Sequence, residues 1–440
     1  MAPSRAFCEH CQSLISAAAY SSMPSRNDFS DGKTIDDTSR MEFSSEDKLD
    51  SFGLVKQKGK GQPAYTAQSR QADISELFQP LNVGRAKLRN RIVYAPLTRC
   101  RATGNVPQDN AIKYYTQRAH GCEGGLIIAE GTAVSESGRG YPDVPGIYDQ
   151  EQILQWKKIT EAVKAHGATF YCQLWHTGRV SHSGLQPNAA APVSSFATAC
   201  AGDVYTPHGP EPYPIPTALD KAGIAEMVDV FRQAARNAID AGFDGVEVHG
   251  ANGYLIDQFI KPKPNQRTDE YGGSVQNRCR FALEVIQAVV EEAGADRVGL
   301  RLSAFQEFGD VADPDPYATN KYLIKEINRF NLAYLHMVEP RASGAEDTAG
   351  QFEDQDLSPF RKLFNGPFMA AGGYNRERAI AALKQDHADL ITFGRHYLAN
   401  PDLPRRFRES APLNKYDRAT FYGGDDKGYT DYPFLPDSHE

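Results

Sequence analysis

Ile224–Tyr254 reads IAEMVDVFRQAARNAIDAGFDGVEVHGANGY. Its first half sets Ile224, Met227, Val228, Phe231, Ala235, Ala238 and Ile239 at helical spacing, which predicts an amphipathic helix over 224–241. A turn follows, and then the short run Gly245 to His249, too brief for a helix and bounded by glycine. That run ends in polar residues: His249-Gly250-Ala251-Asn252-Gly253-Tyr254. A helix feeding a buried strand is half of a parallel α/β repeat.

The same alternation extends in both directions. Strand-like runs are predicted at Arg91 to Pro96, Gly125 to Glu130, Thr169 to Trp175, Gly245 to His249, Arg297 to Leu302, Ala333 to Val338, Pro367 to Ala371 and Asp389 to Phe393. Their Val, Ile, Leu and Phe content suits strands covered on both faces. Helical pattern fills the gaps at Gln152 to His166, Ile224 to Ala241, Arg280 to Glu292, Lys321 to Phe330, Arg376 to Gln385 and Pro401 to Arg408. A regular eightfold count favours closure into a single (β/α)8 TIM barrel of the α/β class over an open doubly wound sheet. No G-x-G-x-x-G turn follows the first strand, which removes the best support for a dinucleotide-binding Rossmann fold.

Within the 440 residues, the barrel is predicted over 73–440, preceded by a flexible leader over 1–72 rich in Ser, Asp, Gly, Gln and Lys. Arg5, Arg26 and a Ser/Ala-rich middle give the first 26 residues a transit-peptide flavour, against which stand Glu9 and the acidic stretch after Asn27. The expected location is therefore the cytoplasm, with a plastid as the alternative. A net charge of −8 argues against nucleic acid or an anionic membrane as partner. Every apolar stretch is broken before the roughly 20 residues a spanning helix needs, so a soluble protein acting on small molecules, as monomer or weak homodimer, is expected. Seven cysteines, several inside predicted strands, point to a reducing compartment. Cys8 and Cys11 form a lone C-x-x-C with no second pair at finger spacing, read as coincidence, and no metal is implied.

In such a barrel the chemistry collects where the strands end. The first strand ends in Ala95-Pro96-Leu97-Thr98-Arg99, the second in Glu130-Gly131-Thr132, and the third in Gln173-Leu174-Trp175-His176. Gly372-Gly373 after the seventh and Gly394-Arg395 after the eighth suit a phosphate held by backbone N–H groups and a guanidinium fork; the plain alternative is a tight turn with a surface arginine. His249, Asn252 and Tyr254 leave one strand together: two donors for a carbonyl oxygen that becomes an enolate, and a hydroxyl able to protonate carbon. Arg301, flanked by Leu300 and Leu302, needs an anionic partner, which a reduced flavin or an internal Asp or Glu supplies. Gln173 and Thr98 offer hydrogen bonds to a planar heterocycle. Trp175 is read with equal weight as a pocket wall or a core residue.

These stretches resemble the old yellow enzyme family, and within it the plant-type 12-oxophytodienoate reductases. The resemblance runs from about Leu77 to Leu435 and rests on Leu88-Arg89-Asn90-Arg91-Ile92-Val93, Ala95-Pro96-Leu97-Thr98-Arg99, Gln173-Leu174-Trp175-His176-Thr177-Gly178-Arg179, His249 to Phe259, Asn265 to Ser274, and Gly394-Arg395. It implies FMN held by Pro96, Leu97, Thr98, Gly131, Gln173, Arg301, Gly373, Gly394 and Arg395, with NADPH or NADH as electron donor. It implies a substrate carbonyl gripped by His249 and Asn252, Tyr254 as proton donor, and Trp175 and Tyr422 along the pocket. The implied activity is reduction of the C=C bond of α,β-unsaturated carbonyl compounds by a ping-pong cycle, with oxylipins of the 12-oxophytodienoate type among the candidate substrates. The alternatives are a flavin-binding redox sensor or an isomerase variant without net enone reduction. That branch usually carries a second histidine where this chain has Asn252. An amide donates as an imidazole does, but the exchange weighs against the jasmonate-pathway substrate. The final Asp437-Ser438-His439-Glu440 is not a peroxisomal address.

Overall fold

The computed structural model describes residues 74–436, apart from 207, 341, 344–345 and 348–354. The expected leader, its transit-peptide alternative, the Cys8/Cys11 pair and the C-terminal tetrapeptide lie outside the described residues.

Eight parallel strands close into a barrel: β1 (Ile92–Tyr94), β2 (Leu126–Ala133), β3 (Thr169–Trp175), β4 (Gly245–Gly250), β5 (Val298–Leu302), β6 (Tyr334–Val338), β7 (Phe368–Ala371) and β8 (Leu390–Phe393). Neighbours in sequence are neighbours in space, and β8 pairs with β1 to close the ring. The strands match the sequence expectation to within three residues at either end. Helices α1 (Asp109–Gly121), α2 (Gln150–Lys164), α3 (Lys221–Asp240), α4 (Val275–Ala293), α5 (Pro316–Ile327), α6 (Ser358–Arg361), α7 (Arg376–Lys384) and α8 (Leu403–Glu409) follow the strands in turn.

Alternation along the strands sorts the core into two layers. Phe170, Cys172 and Leu174 of β3, Val246 and Val248 of β4, and Val298, Leu300 and Leu302 of β5 face outward into the large core shared with the helices. Residues of the other parity face the lumen: Val93, Leu126, Ile128, Tyr171, Tyr334, Met369 and Leu390 pack there with Val83 and Leu88. Those last two belong to an antiparallel hairpin, Leu81–Val83 with Ala86–Leu88, which closes the barrel floor. Tyr171 and Tyr334 lie across Gly245 and Gly299, where an added Cβ would stand 2.4 and 2.2 Å from the ring.

The helices show why their edges moved from the sequence reading. Asp149 and Gln152 form a capping box that starts α2 at Gln150, and Ser274 starts α4 by accepting from the Asn277 N–H. Asp315 caps α5 with Pro316 in its first turn. In α3 the buried stripe is Ile224, Met227, Phe231, Ala234, Ala235 and Ala238, each large apolar side chain contributing about 1.5–3 kcal/mol on burial. Helix α1 was absent from the sequence reading because its buried face is Tyr114, Tyr115 and Arg118 as well as alanine. The helix expected at Pro401 to Arg408 is α8, and a separate short helix, Arg395–Ala399, precedes it.

Candidate active site at the barrel mouth

Because all eight strands run parallel, their C-terminal ends share one rim, and the polar strand ends meet there. The turn after β4 is fixed before any ligand arrives. Asn252 and Gly253 both take left-handed backbone angles, φ 57° and 75°. The Asn252 N–H donates to Ser303 Oγ at 2.7 Å, tying the turn to the end of β5, and the Gly253 N–H donates to Asp257 Oδ2 at 2.9 Å. Gln258 Nε2 donates to the Gly253 carbonyl at 2.8 Å and to that of Thr177, beyond β3, at 3.0 Å. Lys261 ion-pairs with Asp257 and bonds the Ser303 carbonyl. A turn held from three sides keeps its side chains in register, as positioning of reactants demands.

His249 accepts the Ala251 N–H at Nδ1, 3.3 Å away, so the ring proton sits on Nε2. Burial, with Arg301 and His336 nearby, drives its pKa well below the usual histidine value; the ring is a neutral N–H donor. The Asn252 side chain makes no hydrogen bond among the described residues. Tyr254 stacks edge-on against His249 at 5.2 Å and against Trp175 at 5.0 Å. Its hydroxyl lies 3.3 Å from that of Tyr141, and burial raises its pKa, so it stays protonated.

Trp175 is fully buried; it stacks on Tyr141, ring centroids 5.8 Å apart, and meets Tyr254 edge-on. Gly131 lies against its other side; a Cβ there would stand 2.7 Å from the indole. Tyr422 is near enough to Tyr254 and Tyr141 to raise the pKa of both. Pro96, Leu97 and Thr98 follow β1, Gly373 follows β7 with φ 60°, and Gly394 and Arg395 follow β8, the Arg395 guanidinium 5.6 Å from the Tyr416 ring.

Arg301 is half-buried, pairs in register with His249 and His336, and makes no side-chain hydrogen bond among the described residues; its buried Nε has no partner. Burial lowers its pKa against the opposing pull of Glu247. Of the two anionic partners envisaged from sequence, the internal carboxylate is present as Glu247. The Gln173 amide donates to Glu247 Oε1 at 2.7 Å, so the sequence reading found its place but not its partner.

Over residues 76–414 the chain matches the NADH:flavin oxidoreductase / NADH oxidase family. The chain belongs to this family. Among its relatives, 12-oxophytodienoate reductase 1 of Oryza sativa subsp. japonica is 52% identical, the match covering 83% of this chain and 94% of the relative. The 12-oxophytodienoate reductase 2 of Arabidopsis thaliana is 49% identical over 82% of this chain and 96% of the relative. Morphinone reductase, solved in complex with tetrahydroNAD, superposes with a TM-score of 0.77 at 44% identity, covering 83% of this chain and 99% of that one. The protein is an FMN-dependent oxidoreductase of the old yellow enzyme type. Its mouth fits such a cofactor in that the buried Arg301 Nε lacks a partner among the described residues.

Sequence reasoning missed Tyr141, Ser303, Glu247 and His336, as well as the clamp made by Arg99 and Arg101. The two arginines grip carbonyls of residues 420–428, the segment that carries Tyr422. Among the described residues, no helix is long and apolar enough to cross a membrane.

Proposed function

We propose that the protein reduces the C=C bond of α,β-unsaturated carbonyl compounds with electrons from NAD(P)H. The observation that carries this reading is the trio at one rigid turn: a neutral His249 with its proton on Nε2, an Asn252 amide with no other bond, and a protonated Tyr254. His249 and Asn252 donate to the substrate carbonyl oxygen and hold the charge that gathers there as the double bond is reduced. A neutral imidazole suits this task, since it donates without giving its proton away. Tyr254 supplies the proton to the α-carbon, with Tyr141 bonded to its hydroxyl and Trp175 and Tyr422 walling the pocket.

When bound, FMN would supply the hydride-transfer chemistry between nicotinamide and enone. Pro96, Leu97, Thr98, Gly131, Gln173 and Arg301 would hold its ring system, and Gly373, Gly394 and Arg395 its phosphate. Arg301 would offer the ring system a cation already half desolvated, which strengthens its pull. The protein is read as cytoplasmic, as a monomer or weak homodimer, with residues 1–72 a leader; Cys122, Cys172, Cys200 and Cys279 are buried thiols, in keeping with a reducing compartment.

The test is NADPH consumption with 2-cyclohexenone as acceptor. Parallel double-reciprocal lines are expected, and intersecting lines contradict the ping-pong cycle. Tyr254→Phe is expected to slow enone-driven reoxidation by about 10²–10⁴ while leaving reduction by NADPH intact. Equal loss in both half-reactions removes Tyr254 from its role.

A further inference from the structure

Above the apolar floor, four adjacent strands each turn a polar side chain into the lumen: Gln173 from β3, Glu247 from β4, Arg301 from β5 and His336 from β6. The registers place them together. Gln173 pairs with Glu247 across β3 and β4, and Arg301 pairs with His336 across β5 and β6. Glu247 joins the two pairs, accepting Gln173 Nε2 at Oε1, 2.7 Å away, and His336 Nδ1 at Oε2, 2.8 Å away. Glu247 and His336 are fully inaccessible to solvent and Gln173 is 2% exposed.

A carboxylate sealed in a barrel lumen is costly unless its oxygens are satisfied and its charge is matched. Burial pushes the pKa of Glu247 up, but His336, Arg301 and Gln173 together bring it below the usual value, so the group is ionised. Burial keeps His336 neutral, donating from Nδ1 to the carboxylate. The cluster then holds one negative charge, on Glu247, and one positive charge, on Arg301.

We infer that Glu247 is a positioning residue of the flavin site: it fixes the Gln173 amide through Nε2, and its charge offsets part of the Arg301 charge presented to the isoalloxazine ring. This inference rests on the proposed roles of Gln173 and Arg301. Glu247 thereby sets how strongly the site prefers the reduced, anionic ring over the oxidised one. With the carboxylate removed, Arg301 becomes an unopposed half-buried cation and the reduced form gains.

The experiment is a potentiometric titration of the FMN-loaded full chain and of Glu247→Gln, with the dissociation constant of oxidised FMN measured in parallel. Glu247→Gln is expected to favour reduced over oxidised FMN by tenfold or more, a rise of about 30 mV for a two-electron couple. A variant that folds and binds FMN at the wild-type potential overturns the inference while leaving the proposed function standing. A wild-type chain that takes up no FMN defeats the reading underneath it, and the inference with it. Should Glu247→Gln not fold, His336→Leu removes a donor that keeps Glu247 ionised, and its potential is expected to rise likewise. No movement there also overturns the inference. Glu247→Asp keeps the charge and is expected to stay nearer the wild-type potential than Glu247→Gln. A merely structural Glu247 would make the two variants alike.

Discussion

Arg99 and Arg301 are both arginines drawn inside the protein near the barrel rim, and they are treated in opposite ways. Arg99 spends its guanidinium on the protein itself: Nε to the Phe421 carbonyl at 2.8 Å, Nη1 to the Tyr114 hydroxyl at 2.9 Å, and Nη2 to the carbonyls of Thr420 at 3.1 Å and Gly428 at 2.8 Å. Arg301 bonds to nothing among the described residues and leaves a buried Nε unmatched. A cation whose donors are all used is part of the frame. One that makes no hydrogen bond within the protein keeps its donors for other partners, at the cost of an unmatched buried nitrogen. Each also has its carboxylate. Glu130 accepts the Arg99 N–H at 3.1 Å and the Tyr115 hydroxyl at 3.3 Å, while Glu247 lies among the donors around Arg301.

The contrast breaks most easily at Arg99. Arg99→Met strips four acceptors of a charged donor and is expected to destabilise the fold by about 3–5 kcal/mol in chemical denaturation, loosening the segment that carries Tyr422. A loss below about 1 kcal/mol would remove Arg99 from the frame.

Glu130 sharpens the comparison through pH. Burial pushes its pKa up to about 7 from 4.5, despite the Arg99 N–H and the nearby guanidiniums. Between pH 4.5 and 7 the folded protein holds a proton that the unfolded chain releases. Its contribution is therefore fullest below about pH 4.5 and falls by about 3 kcal/mol as pH rises through 7. Glu130→Gln is expected to flatten the decline in melting temperature between pH 5 and pH 8, and an unchanged slope would contradict the assignment.

Arg301→Met gives the smallest expected change. FMN affinity is expected to fall by about 10- to 100-fold, the worth of one charge-assisted hydrogen bond. The apoprotein should lose less stability than Arg99→Met does, because no bond within the protein is broken. The reverse ranking would show that the two arginines had been assigned the wrong way round.

The barrel was legible because strands covered on both faces read as short apolar runs, and each of the eight appears where such a run was expected. Helix α1 was not, since its inner face uses Tyr114, Tyr115 and Arg118, which hide the apolar stripe. At the site, His249, Asn252 and Tyr254 were readable because a single strand end delivers all three. Glu247 and His336 are 89 residues apart, and Tyr141 and Tyr254 are 113 apart; only closure of the ring makes them partners. In the sequence, Glu247 occupies an interior strand position with no neighbouring charge to betray it.

The central claim is that a flavin works across this mouth, taking electrons from a nicotinamide and handing them to an enone. The most direct measurement is the visible absorption of the purified full chain loaded with FMN. Flavin bands that bleach under NADPH without oxygen and return on adding 2-cyclohexenone are the expected result. A correctly folded polypeptide that stays colourless, or flavin bands that bleach and never return with the enone, would contradict it.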